Sequence, residues 1–330
     1  SKVPYADYVS SDPLAIEEAE FAARSGVDVS VADNVKTFKV GSSVPDTKEW
    51  LEVLATSRTS WLRALLRNVS VVQGKNYADN PMLRMLAPRK HQTAKIAYAA
   101  NGEPISLTLF GAARSYGRHD DSFKAIEITK SPESAQIQVT LFEERLGEAV
   151  PLHFFFTYRP DQPFASIHEV MDGRNDRIKQ FYWQLWFHAD MPAAAQLASA
   201  KEFKSPVKSL DESAIRSFCR IVENRGEVFT KGQAPMDFAI VAGWEAIMQA
   251  LMASCDADLL SLVHLSNSFK VIDDARPLRA GDVCTATAHA SSIRISDTGK
   301  SVSVTGTVLR QDANGTPVPV ISVVSSFFFR

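Results

Sequence analysis

From Pro235 to about Met252 the chain carries one continuous apolar helical pattern, and from there to Arg330 it offers only short strand patterns. Phe238, Val241, Trp244, Ile247, Met248, Leu251 and Met252 recur at i, i+3 and i+4 spacing, with Glu245 and Gln249 as polar residues in the middle. A helix apolar on nearly every side must be covered on nearly every side. The strand patterns run over about Leu259–Leu265, Ser268–Ile272, Asp282–Ile295, Ser301–Leu309 and Val318–Phe328. Asp297-Thr298-Gly299 and Asp312-Ala313-Asn314-Gly315 supply turn chemistry between them. No helix separates these strands, so they form an antiparallel sheet. Curling that sheet around the helix is the direct way to bury it. Asp211-Glu212-Ser213-Ala214 opens this unit by capping a short helix with Ile215, Phe218 and Cys219 on its apolar face.

Upstream the pattern is again mostly period two. Lys95–Tyr98, Ile105–Phe110, Phe123–Thr129, Ala135–Phe142 and Val150–Tyr158 predict a five-strand meander, with Asn101-Gly102 as a hairpin signal. Gln136-Ile137-Gln138-Val139-Thr140-Leu141 alternates, which places one face in water and one in a core. A helix from about Asp176 to Phe187 carries Ile178, Phe181, Tyr182, Leu185 and Trp186 in one stripe, expected to pack against the meander. Nearer the start, Ser11-Asp12-Pro13 predicts a helix that stops at Gly26, and residues 27–36 read as linker. Two helical pieces follow over 46–67, carrying Trp50, Leu51 and Leu54, then Trp61, Leu62, Leu65 and Leu66. Residues 189–209 are rich in Ala, Pro, Ser and Lys and read as a boundary. The fold class is α+β, with an N-terminal helix and linker over 1–35, the meander unit over 36–190, a linker over 191–210 and the helix-and-sheet unit over 211–330.

At 330 residues, with 45% hydrophobic and 22% charged residues, the chain can build an ordinary core without metal or disulfide staples. Its net charge is −2 with both signs interspersed, which argues against a nucleic-acid partner. Cys219, Cys255 and Cys284 form neither a disulfide framework nor a metal pair, and fit a reducing, cytoplasmic compartment. Ser1-Lys2-Val3-Pro4 has no apolar signal region. No uninterrupted run of ~18 apolar residues occurs, so no membrane span is expected. The missing initiator Met suggests a piece of a longer protein.

The histidines are the first candidates for chemistry. His91 and His119 lie in polar loops, and His153 and His289 within strands. His168 precedes a helix, and His188 follows one, where the helix dipole accounts for it. His264 stands in an apolar strand after the helix that carries Glu245. It has two readings: a satisfied core or edge residue, or one partner of a His264–Glu245 pair that moves protons in an apolar pocket. Phe238, Val241, Trp244 and Met248 are the residues expected to line such a pocket. No metal-ligand spacing, nucleophile elbow, dinucleotide fingerprint or phosphate loop is present, so neither metal nor cofactor is expected. Gly111–Asp120 holds Arg114 and Arg118 and reads as a solvated connection or an anion contact.

Six stretches together carry a resemblance. They are Val72-Gln73-Gly74-Lys75-Asn76-Tyr77-Ala78-Asp79-Asn80-Pro81, Phe110-Gly111-Ala112-Ala113-Arg114-Ser115-Tyr116-Gly117 and Leu141-Phe142-Glu143-Glu144-Arg145. Phe181-Tyr182-Trp183-Gln184-Leu185-Trp186-Phe187, Ala234-Pro235-Met236-Asp237-Phe238-Ala239-Ile240-Val241 and Leu262-Val263-His264-Leu265-Ser266-Asn267 complete the set. From about residue 36 to Arg330 the chain resembles the β-subunit, or fused equivalent, of the fungal-type fatty acid synthase, between its enoyl reductase and its malonyl/palmitoyl transferase. The resemblance implies a meander, or first hot-dog-like unit, followed by a hot-dog fold that is the non-catalytic half of the 3-hydroxyacyl dehydratase and shapes its acyl tunnel. It also implies an acyl chain on acyl carrier protein and neighbouring synthase domains as partners. The family's active site carries Asp-x4-His. Five residues before the histidines stand Leu86, Arg114, Glu148, Pro163, Trp183, Leu259 and Cys284, none of them Asp, and Glu148 before His153 is the one acid. No family catalytic residue carries over, and the family order would put the catalytic hot-dog after Arg330. A self-sufficient dehydratase using His264, and a scaffold that only holds neighbouring domains, are the alternatives.

Overall fold

The computed structural model describes residues 27–40, 61–62, 65, 93–110, 125–130, 136–145, 147–159 and 168–329. The helix expected over 11–26, the piece carrying Trp50, His91, and the Gly111–Asp120 segment with His119 lie outside the described residues. The chain divides into two compact units, Ser1–Arg177 and Ile178–Arg330. The expected linker at 191–210 lies within the second of these units, and the break between the units falls inside a helix.

In the first unit, β1 (Val27–Ala32), β2 (Val35–Val40), β3 (Thr93–Tyr98), β4 (Pro104–Phe110), β5 (Ala125–Lys130), β6 (Gln136–Arg145) and β7 (Glu148–Thr157) form one antiparallel sheet in sequence order. It is the expected meander with two strands added at its front. Residues 27–36, read as linker, form most of the β1–β2 hairpin. Asp33 and Asn34 both have positive φ, 49° and 60°, the geometry of the two-residue turn that matches strand twist. Asp-Asn does this without the glycine that makes such turns legible. Period-two alternation fills one face: Phe38, Ala94, Ile96, Leu107, Leu109, Ile126, Ile128, Val139, Phe154 and their neighbours are buried. Opposite them, strand register lines Lys95, Thr108, Glu127, Thr140 and His153 into a polar row. Trp61 is buried and donates from Nε1 to the Pro104 carbonyl at 2.7 Å.

Helix α1 (Arg174–Phe187) follows. Its start is tied down by Arg177, which donates to the carbonyls of His153 (3.2 Å) and Asp172 (2.9 Å) and lies over the Phe155 ring. Burial, and then the Arg177 charge, hold the His153 imidazole below its ordinary pKa. Nδ1 of that ring lies 3.1 Å from both Gln138 and Thr140. Glu148 and His153 sit five residues apart on one extended strand, roughly 16 Å along it and on opposite faces, so they do not pair.

The second unit contains α2 (Ala194–Ser199), β8 (Phe203–Lys204), β9 (Lys208–Ser209), α3 (Glu212–Ile221) and α4 (Glu227–Thr230). A 3₁₀ turn (Met236–Phe238) leads into α5 (Ala239–Ser254), and a second (Leu259–Ser261) into the strands β10 (Val263–Val271), β11 (Val283–Ser296), β12 (Gly299–Gln311) and β13 (Pro317–Phe329). Asp211 caps α3 as expected, accepting from the Ser213 amide. The sheet order is β10-β13-β12-β11-β8, with β9 also on β11. All the pairings are antiparallel, and the sheet wraps α5: a hot-dog fold. The expected linker at 191–210 thus contributes two strands. The two strands expected over 259–272 are instead one 3₁₀ turn, capped by Asp258, and one strand that absorbs a bulge.

Small residues let helix and sheet approach. Ala239, Ala242, Gly243, Ala246 and Ala250 on α5 are buried, as are Ala286 and Ala288 on β11. Gly306 of β12 pairs with Ala288, and a Cβ there would lie 2.9 Å from Ile247 Cγ1. Gly306→Ala is therefore expected to cost about 1–3 kcal/mol through overpacking. Ile247→Ala in the same chain should recover part of that loss in denaturant titration. Strictly additive losses would show that the two positions do not collide. Two lysines hold the carbonyl end of α5. Lys179 donates to Cys255 O, and Lys300 to Ser254 O (3.0 Å) and Asp256 Oδ1 (2.9 Å). By length and composition the 19 residues Met236–Ser254 could cross a membrane, which the count of uninterrupted apolar runs did not register. More than half of that span is buried, as a sheet-wrapped helix requires.

Candidate functional site

One cavity of about 420 Å³ opens beside α5 in the second unit. Ile240, Trp244, Ile247 and Met248 reach it from successive turns of the helix, at the i, i+4, i+7, i+8 positions of one face. Leu259 and Leu262 come from the second 3₁₀ turn and its end, and Phe327 from β13. Tyr182 and Trp186, one turn apart on α1, complete the wall. Trp186 meets Trp244 edge-to-face at 5.7 Å, and Tyr182 lies 4.8 Å from Trp186. These two aromatics belong to the stripe expected to pack on the meander. The spacing marked an apolar face, and only the tertiary structure shows what that face helps to line.

Two polar side chains, His264 and Asn267, are also in the lining. Three residues apart, they would point to opposite faces of a regular strand. The register slips between His264 and Ser266, so Leu265 is extra and the two side chains come to one side. His264 Nε2 lies 3.0 Å from Asn267 Oδ1, and buried Ser325, directly opposite Asn267 on β13, donates to the same oxygen at 2.7 Å. The His264 ring rests 5.2 Å from Phe327, its cross-strand partner.

The residues singled out from the sequence separate. Trp244 and Met248 line the cavity and His264 stands in it. Phe238 is not in the lining: it is 2% exposed and packs edge-to-face on Phe218 at 5.4 Å. Val241, one position round the helix from Ile240, is 39% exposed outside the cavity. Glu245 likewise points away, and its carboxylate lies 3.5 Å from Lys208. The structure does not bring His264 and Glu245 together. Lining residues that the sequence reading did not single out include Ile240, Asn267 and Phe327. Ile240 was recoverable from helical spacing, but Asn267 was hidden by the bulge.

No cluster of three or more metal-ligating side chains occurs among the described residues. The three cysteines are free and buried, and burial raises each thiol, that of Cys284 to about 11, so none is a ready nucleophile.

In comparison with known proteins, two family models match the chain, one on either side of residues 190–206. The family described as "Fatty acid synthase meander beta sheet domain" matches residues 41–189, and "FAS1-like, dehydratase domain region" matches residues 207–319. "Fatty acid synthase 2" of Mycosarcoma maydis is 36% identical over all of this chain and 9% of its own length. "Fatty acid synthase subunit beta" of Schizosaccharomyces pombe is 35% identical over all of this chain and 16% of its own. The chain thus spans under a fifth of these curated relatives. Among solved structures, the truncated HadBC (3R-hydroxyacyl-ACP dehydratase) complex of Mycobacterium tuberculosis aligns with 38% of this chain and 93% of its own. Its TM-score is 0.31 at 16% identity, too low to bear on this chain.

Proposed function

The chain belongs to the fungal fatty acid synthase β-subunit family, and on that premise we propose that it supplies the non-catalytic half of the 3-hydroxyacyl dehydratase. In this reading the hot-dog unit receives part of an acyl chain carried on acyl carrier protein. The meander and the hot-dog's outer surfaces contact neighbouring synthase domains, in the cytoplasm. The observation that carries the proposal is the cavity beside α5: aromatic and aliphatic walls, no carboxylate, ammonium or guanidinium in the lining, and so no acid within it to pair with His264. Dehydration needs one group to take a C2 proton and another to protonate the leaving hydroxyl. The cavity offers a place for the chain without that pair of groups. The working domain limits are those read from the sequence, 36–190 and 211–330, with β1 and the strands of 203–209 added to their sheets.

Purified chain should bind an octanoyl thioester, read as quenching of tryptophan fluorescence, and should not hydrate a crotonyl thioester. Turnover that His264→Ala abolishes would overturn the non-catalytic reading. A chain that binds no acyl thioester would overturn the acyl-holding role.

A further inference from the structure

The His264–Asn267 pair is more elaborate than a greasy wall requires. A register slip turns both side chains to one face, and a buried serine fixes the second of them. Asn267 Oδ1 accepts from Ser325, so the His264 nitrogen 3.0 Å away must bring the proton for its own bond to that oxygen. In the neutral ring this leaves Nδ1 of His264 as an acceptor, and Nδ2 of Asn267 remains a donor. Neither atom has a partner among the described residues. Turning the Asn267 amide over exchanges the two roles and still leaves one donor beside one acceptor. The rest of the cavity lining carries no carboxylate, ammonium or guanidinium. Those residues supply no fixed charge to an anion or a cation.

Resting on the acyl-holding reading above, we propose that His264 and Asn267 read a neutral ligand group that both donates and accepts a hydrogen bond, while the acyl chain fills the apolar cavity. Two parts of a carrier-bound substrate have this chemistry: the hydroxyl of a 3-hydroxyacyl chain and a secondary amide of the pantetheine arm. A bare hydrocarbon in the same place would cover two polar groups without replacing the water they lose, and would bind more weakly for it. Ser325 is a positioning residue: it touches Asn267 and sets its orientation.

The test uses the whole 330-residue chain and three probes: the methyl thioester of octanoic acid, the methyl thioester of 3-hydroxyoctanoic acid, and the N-acetylcysteamine thioester of octanoic acid. Dissociation constants come from tryptophan quenching. At least one of the two polar probes should bind about tenfold tighter than the plain thioester, as one or two good hydrogen bonds allow. Which one gains tells the hydroxyl from the amide. His264→Phe, which removes the acceptor, and Asn267→Asp, which removes the donor but still accepts from Ser325 and His264, should each bring that ratio to within about twofold of one. Ser325→Ala should reduce it in part. Equal affinity for all three probes, or a preference that survives both His264→Phe and Asn267→Asp, overturns the proposal and leaves the acyl-holding role standing. Failure of every probe to bind overturns both.

Discussion

Gly299→Ala is expected to be among the most damaging single changes in the second unit, costing roughly 3 kcal/mol or more. Gly299 ends the turn between β11 and β12 with φ at 151°, a region where a side chain is strained wherever it points. A Cβ there would stand 2.2 Å from the Phe329 carbonyl oxygen and 2.6 Å from Phe328 Cζ. The first of these is backbone of the paired strand β13 and cannot swing aside. Ser296 closes the same turn by donating to the Gly299 carbonyl. Relief would therefore have to break the end of the β11–β12 hairpin or detach the end of β13. Gly281→Ala is the control, because Gly281 also has positive φ (85°) but nothing within 4 Å of its Cβ position. It should lose about 1 kcal/mol from backbone preference alone. Denaturant titration followed by tryptophan fluorescence separates the two, and equal losses would remove the collision from the account.

Phe238→Ala should cost about 3–5 kcal/mol and leave octanoyl thioester affinity unchanged. The ring is 2% exposed and edge-on to Phe218, which ties the entry of α5 to α3. Truncation leaves a cavity in the core. Trp244→Ala should behave in the opposite way. Trp244 is 39% exposed and faces the candidate site, so its loss should cost less stability and weaken acyl binding about tenfold or more. If Phe238→Ala relaxed binding while Trp244→Ala left it untouched, the lining would be on the wrong face of the helix.

Much of the architecture was legible because hydrophobic period is a local property. Alternation from Lys95 to Tyr158 marked the meander, and the pattern from Phe238 to Met252 marked the wrapped helix. What escaped had weak local chemistry or depended on non-local contact. The Asp33-Asn34 turn lacks a glycine, so β1 and β2 read as linker. Strands β8 and β9, two residues each, have no period to detect and exist only because β11 offers them an edge. The expected boundary over 191–210 followed composition and falls mostly between the two family matches, 41–189 and 207–319, while the compact units part within α1, between Arg177 and Ile178.

For the candidate site the split is sharper. Helical periodicity was sufficient to mark Trp244 and Met248 as residues on an apolar helix, and the residues of Ala234–Val241 and Leu262–Asn267 were sufficient for the family resemblance. Periodicity could not say which of Phe238, Val241, Trp244 and Met248 meet the cavity, because a helix covered on most sides distributes its faces according to what packs there. Nor could it give His264 its partner. Strand geometry puts residues 264 and 267 on opposite faces, and one extra residue, Leu265, reverses that. The bulge, Ser325 across the sheet and Trp186 from another helix are long-range facts, decided by the assembled fold.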